Sequence, residues 1–131
     1  MATAVIFLSG IQHFVEGPDG MAKMPVTVKN YMQDIPVAWD EVKFIDGYPG
    51  KFYAVARRAG KKWYVAGINA DSLQQHINID KLPFIAPFKT GTLFSSNAAN
   101  NEVEISKQTI YAKQNKTVVI KPNDGFVIVF E

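Results

Sequence analysis

Residues 50–69 read GKFYAVARRAGKKWYVAGIN. Two aromatic-rich runs, each alternating with period two, flank a tip that carries Arg57, Arg58, Lys61 and Lys62 within six positions. Side chains leave a strand on alternate faces. Phe52, Ala54 and Ala56 therefore share one face, Tyr53 and Val55 the other, and the charges are expected at the strand ends and in the turn. The stretch predicts a β-hairpin with a solvated tip. A strand that reads RNA needs aromatics at alternating positions on an open face, with basic residues beside them. Small alanines occupy that face after Phe52, so the basic tip is read as the solvation of a turn.

Working outward, the same period continues. VAWDEVKF (37–44), KFYAVARR (51–58), KWYVAGIN (62–69), QHINID (75–80), FKTGTLFS (88–95), NEVEIS (101–106), KTVVIK (116–121) and FVIVFE (126–131) are short and rich in β-branched and aromatic residues. Gly, Pro, Asn and Asp separate them. Eight such runs with no helix-length pattern between them predict an all-β, antiparallel two-sheet sandwich. The last run is apolar at both parities, with Phe126, Ile128 and Phe130 against Val127 and Val129, which predicts a central strand covered on both sides. Upstream, Gly17, Pro18, Asp19 and Gly20 mark a turn or loop. MPVTVKNYMQDIP predicts a short helical lead-in, with Pro25 at the first helical position, Val28, Met32 and Ile35 on one stripe, and Pro36 as its stop.

With 131 residues the chain has the size of one domain. Its net charge of +2 does not call for a polyanionic partner. The absence of cysteine removes disulfides, thiol nucleophiles and zinc–thiolate sites but says little of compartment. The apolar opening TAVIFLSG falls far short of the roughly 20 residues that span a membrane, and it lacks the basic start and cleavage pattern of a secretory signal. An N-terminus that opens inside a hydrophobic run is expected to continue from something larger.

No catalytic set emerges. Asp40 and Glu41 are adjacent in an extended run, so they are expected to leave on opposite faces, whereas glycosidase chemistry wants two carboxyls facing one bond, roughly 5–9.5 Å apart. Asp46, Asp71, Asp80 and Asp124 fall in turn-like positions, where aspartate holds backbone amides. His13 and His76 belong to no spaced metal-ligand set, and His76, alternating with Ile77, is expected to face solvent. No serine or threonine sits in a G-x-S-x-G turn, and KTGTLF lacks the spacing of a phosphate loop. The aromatics remain. Trp39, Tyr48, Trp63 and Tyr64, with Tyr53, could offer flat faces to a sugar or pack in a core or interface. Trp63, in mid-strand, is read as core, and Trp39, where the helical lead-in meets the sheet, as an interface residue.

Pro36 followed by Trp39-Asp40-Glu41, Gly50 before a strand ending Ala56-Arg57-Arg58, and Gly60 before the Trp63-Tyr64 strand that runs to Asn69 together resemble the C-terminal β-sandwich of glycoside hydrolase family 97. This is the α-glucosidase and α-galactosidase family typical of Bacteroidetes. The likeness is strongest over residues 35–70 and returns in the closing KPNDGFVIVFE; Val42 departs from it, where the family usually has threonine. AVIFLSGIQHFVEGP resembles the tail of the family barrel's last helix and the linker that leaves it. The resemblance implies barrel tail, linker and short helix over residues 1–35 and a sandwich over 36–131. It implies a periplasmic or secreted parent that hydrolyses α-glycosidic bonds, with catalytic carboxylates and calcium ligands outside this segment. No catalytic residue, metal or cofactor is then expected here, and the segment alone is not expected to be catalytic.

The expected role is a non-catalytic accessory domain that braces the catalytic barrel, with a carbohydrate-binding module using the exposed aromatics as the alternative. An independent hydrolase and a nucleic-acid binder rank behind, and no nucleic-acid or membrane partner is expected. Without a barrel, Val5, Ile6, Phe7 and Leu8 are expected to form a stranded apolar patch that packs back on the sandwich or lets the chain self-associate through residues 4–8.

Overall fold

In the computed structural model, residues 1–14, 16–79, 81–88, 90–97, 104–111 and 117–131 are described. The opening stretch is a hairpin: β2 (Phe52–Ala59) pairs antiparallel with β3 (Lys62–Asn69) in unbroken register. Gly60 takes φ 58° at the first of the two loop positions, the place where a tight II′ hairpin turn needs glycine. β1 (Glu41–Tyr48) flanks β2, and β8 (Asp124–Phe130) lies between β3 and β5 (Thr90–Asn97), which carries β6 (Glu104–Tyr111) beyond it. The order β1-β2-β3-β8-β5-β6 makes one six-stranded antiparallel sheet. β4 (Gln75–Asn78) and β7 (Thr117–Ile120) form a second, two-stranded antiparallel sheet. The two-sheet antiparallel fold read from the alternation is therefore present.

β8 is central, as its apolar parities require, and each face of the large sheet has its own core. On one face Ala54, Ala56, Trp63, Val65, Phe126, Ile128 and Phe130 meet Ile77, Ile79, Val118 and Ile120 of the small sheet and its flank, with Leu82 and Ile85 around a 3-10 turn at Pro83–Ile85. On the other face Val55, Tyr64, Ala66, Phe94 and Val127 are covered by α1 (Ala2–Ile6) and α3 (Val26–Asp34) through Ala4, Val5, Ile6, Tyr31 and Ile35. A five-residue helix rich in β-branched residues has no stability of its own in water, so burial of Val5 and Ile6 on the sheet is what holds α1. No helix among the described residues is long and apolar enough to cross a membrane.

Several local expectations are corrected. The Gly17–Gly20 turn is the start of a helix, α2 (Pro18–Lys23), with Gly17 as N-cap, because Pro18 pre-sets the first helical φ. Pro25 is the N-cap of α3 rather than its first residue, while Ile35 before Pro36 is extended, as a pre-proline residue must be. The first strand begins at Glu41, not Val37, and runs to Tyr48, because a bulge at Ile45, between Phe44 and Asp46, carries pairing through the Asp46-Gly47 pair that resembled a break. The expected strand at 101–106 is shifted to β6, and residues 101–103, Asp80 and Lys116 lie outside the described residues.

Candidate interaction surfaces

The helix-covered face is built around a cation that the alternation had assigned to a solvated tip. Arg57 is 3% exposed. It lies two residues beyond Val55 on the same parity, and strand pairing continues past it to Ala59. Its side chain is thus carried under the end of α1, where Nη2 donates a 2.9 Å hydrogen bond to the Ile6 carbonyl. A helix C-terminus leaves such carbonyls unpaired and carries partial negative charge, which suits a guanidinium. The guanidinium centre stands 5.8 Å from the Trp39 ring, while Nε and Nη1 are buried without a hydrogen-bond partner among the described residues. Burial lowers the Arg57 pKa, yet a guanidinium stays protonated at physiological pH.

Arg58, on the opposite parity, gathers the acids. Its Nε donates to Glu41 at 3.2 Å and Nη1 to Asp40 at 3.3 Å, while Asp40 also accepts the Gly60 amide at 2.7 Å. Asp40 precedes the first strand residue, so strict alternation does not govern it; the two carboxylates converge on Arg58 instead of leaving on opposite faces. Hydrogen bonds from Lys43 and Arg58 hold Glu41 below the usual carboxylate range. Both acids are engaged by cations and backbone, and neither is presented to a glycosidic bond. Asp46, Asp71 and Asp124 accept the amides of Gly47, Leu73 and Gly125. Among the described residues no three of His, Cys, Asp and Glu lie together as a metal site requires. His76 is exposed.

The four candidate aromatics are not brought to one surface. Trp63 is buried on the small-sheet face, stacked 4.3 Å from Phe84. Tyr64 is buried on the helix face and meets the edge of half-buried Trp39 at 5.2 Å. Tyr48 is exposed at the far end of β1. Of the expected patch at residues 4–8, Ala4, Val5 and Ile6 pack onto the sheet, and only Phe7 and Leu8 are open, followed by exposed Ile11 and Phe14. A second open group comprises Val42, Phe44, Tyr48 and Tyr53 on β1 and β2, of which the sequence had singled out only the two tyrosines as candidates for an exposed face. Phe44 shares the face of Tyr53 and Val55 through its cross-strand pairing with Val55.

The model of the family described as "Glycosyl-hydrolase 97 C-terminal, oligomerisation" matches residues 38–131. A retaining alpha-galactosidase of Bacteroides thetaiotaomicron is 27% identical over 134 residues, which take in 98% of this chain and 20% of that protein. The crystal structure of a beta-arabinopyranosidase superposes with TM-score 0.85 at 31% identity, over 98% of this chain and 20% of that one. A family 97 glycoside hydrolase from Pseudoalteromonas sp. strain K8, in complex with acarbose, shares the fold with TM-score 0.76 at 23% identity, over 99% of this chain and 22% of that one. The chain thus spans about a fifth of the length of these three proteins.

Proposed function

The chain belongs to the glycosyl-hydrolase 97 C-terminal family, and from that premise we propose that it braces, as the non-catalytic accessory end of a longer enzyme, a catalytic barrel that precedes it in the same protein. The observation that carries this reading is the seating of α1 on the sheet, through Val5, Ile6 and the Arg57 bond, with Phe7, Leu8, Ile11 and Phe14 left open beside it. Residues 1–35 then act as barrel tail, linker and helical lead-in, and residues 36–131 as the sandwich. The exposed N-terminal hydrophobes supply apolar area for the barrel to cover, and the latched helix transmits its position to the sheet.

The parent, on this reading, hydrolyses α-glycosidic bonds. The similarity to a retaining alpha-galactosidase supports a galactoside as substrate, and arabinopyranose, the sugar in the name of the other relative, is a galactose-like ring without the hydroxymethyl group. An α-glucoside is the other candidate of the family. Catalytic acids and any calcium lie outside this segment, in a parent exported to the periplasm or beyond. The carbohydrate-module alternative retains only Tyr48 of its four aromatics on the open surface.

The test is in two parts. The chain alone is assayed for turnover of nitrophenyl α-galactoside, and the barrel-containing parent is compared with and without residues 36–131. No turnover by the chain, together with a shortened thermal half-life and unchanged KM in the truncated parent, is expected. Turnover by the chain alone would overturn the accessory reading. A saturable tryptophan fluorescence change with malto-oligosaccharides would favour the sugar module.

A further inference from the structure

We propose that the polar cleft between α3 and the adjoining ends of β3, β8 and β5 is a binding site for one neutral pyranose, a free monosaccharide held through its hydroxyls. The choice of sugar rests on the accessory-domain reading, since a parent that hydrolyses α-glycosidic bonds releases such rings.

The cleft is built from one side of each element. Val28 and Tyr31 are the buried residues of α3, and Thr27, Asn30 and Asp34, spaced by three and four, form a polar row beside them. Lys62 and Tyr64 of β3, Thr92 of β5 and Glu131 after β8 share the parity of the helix-covered face, because Val129 pairs with both Tyr64 and Thr92. These groups line a cleft of about 210 Å³, with Phe94 and Val129 as its apolar part. That is less than the roughly 300–1,000 Å³ of sites for drug-sized ligands, and it suits a single ring.

Three observations mark the cleft as a place for a hydroxylated ligand. Tyr64 is 3% exposed, yet its hydroxyl has no hydrogen-bond partner among the described residues, whereas that of Tyr31 donates to the Met1 carbonyl at 3.2 Å. A buried phenol ordinarily finds a partner. Burial raises the Tyr64 pKa, and Lys62, Asp34 and Glu131 act on it as well, which sets these three charges around the phenol. Asp34 is the last residue of α3, where the helix dipole disfavours a carboxylate, and no described residue gives it a hydrogen bond or an ion pair. Lys62, finally, is already paired with Glu131 at 2.6 Å. What remains is one carboxylate among hydroxyls and an amide. An anion is repelled by Asp34, and a cation meets Lys62 and leaves the donors unused. A sugar hydroxyl accepts from the Tyr64 phenol and donates to Asp34 at once. The Tyr64 and Phe94 rings are buried, so recognition runs through hydroxyls and not through the aromatic platform of the carbohydrate-module reading.

Titration of the 131-residue chain with galactose, followed by amide chemical shifts in nuclear magnetic resonance, tests this. Tyr64→Phe removes one oxygen and Asp34→Asn one charge; phosphate and ethylammonium are the charged comparisons. Galactose is expected to give saturable shifts confined to the surroundings of Asn30, Asp34 and Tyr64, with Kd about 1 mM. Each variant is expected to raise that Kd about tenfold while leaving the urea midpoint unchanged, because neither group has a partner in the free chain. No saturable shift with galactose, glucose or arabinose would overturn the site. So would variants that bind within about twofold of wild type, or phosphate or ethylammonium saturating the cleft in place of the sugar. A urea midpoint lowered by Tyr64→Phe would assign the hydroxyl to the fold and overturn it as well. The accessory reading stands or falls separately, on the turnover assay.

Discussion

Arg57 and Ile6 are 51 residues apart in sequence, and the guanidinium of the first holds the helix-terminal carbonyl of the second at 2.9 Å. The arginine does two separable things. Its stem fills space beneath α1, and its head pairs one carbonyl while leaving two nitrogens without partners. A buried charge so incompletely paired adds little net stability, and an apolar side chain of similar volume can replace it at small cost. Arg57→Ala is therefore expected to cost about 2–4 kcal/mol by leaving a cavity, and Arg57→Met about 1 kcal/mol or less. In Arg57→Met the amide of Phe7, which closes α1 onto the Thr3 carbonyl, should nonetheless exchange faster with deuterium. Equal urea midpoints for the two variants would show that packing at this position counts for nothing.

The latch is only as good as the helix it holds. Val5 is fully buried, and truncation to alanine removes two methyl groups from the interface with the sheet, for an expected loss of about 1.5–3 kcal/mol. Val5→Asp would place a carboxylate on Val55, Ala66 and Val127, which share that core with it, and should detach α1 altogether. The expected signature is binding of a hydrophobic dye with the strand signal of circular dichroism retained. Loss of all strand signal would mean that α1 is needed for the sheet to form, not merely to cover it.

The sheet was legible because its strands alternate, and a period of two shows within a single sequence. The centrality of β8 followed from the apolar residues at both of its parities, and the solvent-facing side of His76 from its place beside Ile77. The errors have a common origin, which is stopping the alternation too early. Arg57 continues the parity of Tyr53 and Val55, yet a charged residue near a turn invites a solvated reading. Asp46-Gly47 looks like a break, but a bulge lets the strand absorb it. Phe44 was missed for a different reason: it is exposed because α1 stops short of β1, and which strands a helix covers is a tertiary fact that no local pattern records. α1 itself, five residues with two β-branched apolar side chains, has no helical signal in isolation.

Burial raises the pKa of both Tyr31 and Tyr64 above the usual 10.0, and for Tyr31 the neighbouring Tyr64 phenol adds to the effect. The folded chain thus holds these protons more tightly than the unfolded one. Their stabilising contribution is complete below about pH 10 and is lost as pH rises through the folded values. Two of the five tyrosines are accordingly expected to ionise only as the chain unfolds, giving a rise in tyrosinate absorbance that coincides with loss of the strand signal. Tyr31→Phe should flatten the fall of stability with pH in this alkaline window by about 1.4 kcal/mol per pH unit, one proton's worth. Ionisation of Tyr31 well before the strand signal changes would contradict the burial that α3 gives it.

Asn69 joins the two sheets at a point where no apolar contact could. It is 3% exposed at the end of β3, and its Nδ2 lies within hydrogen-bond reach of the Leu73, Ile120 and Lys121 carbonyls at 2.8, 3.3 and 3.1 Å. Its Oδ1 accepts the Asp71 amide at 2.9 Å. Only an amide offers donors to those carbonyls and an acceptor to that N–H at once. Aspartate keeps the acceptor and loses the donors, turning a carboxylate towards three carbonyl oxygens in a buried place. Asn69→Asp is therefore expected to be more damaging than Asn69→Ala near neutral pH, with losses of about 3–5 against 2–3 kcal/mol. Lowering the pH should recover part of the aspartate deficit, because a protonated carboxyl regains one donor. Measured by urea unfolding at two pH values, an aspartate variant as stable as wild type at pH 7 would mean that the small sheet is held by its apolar residues alone.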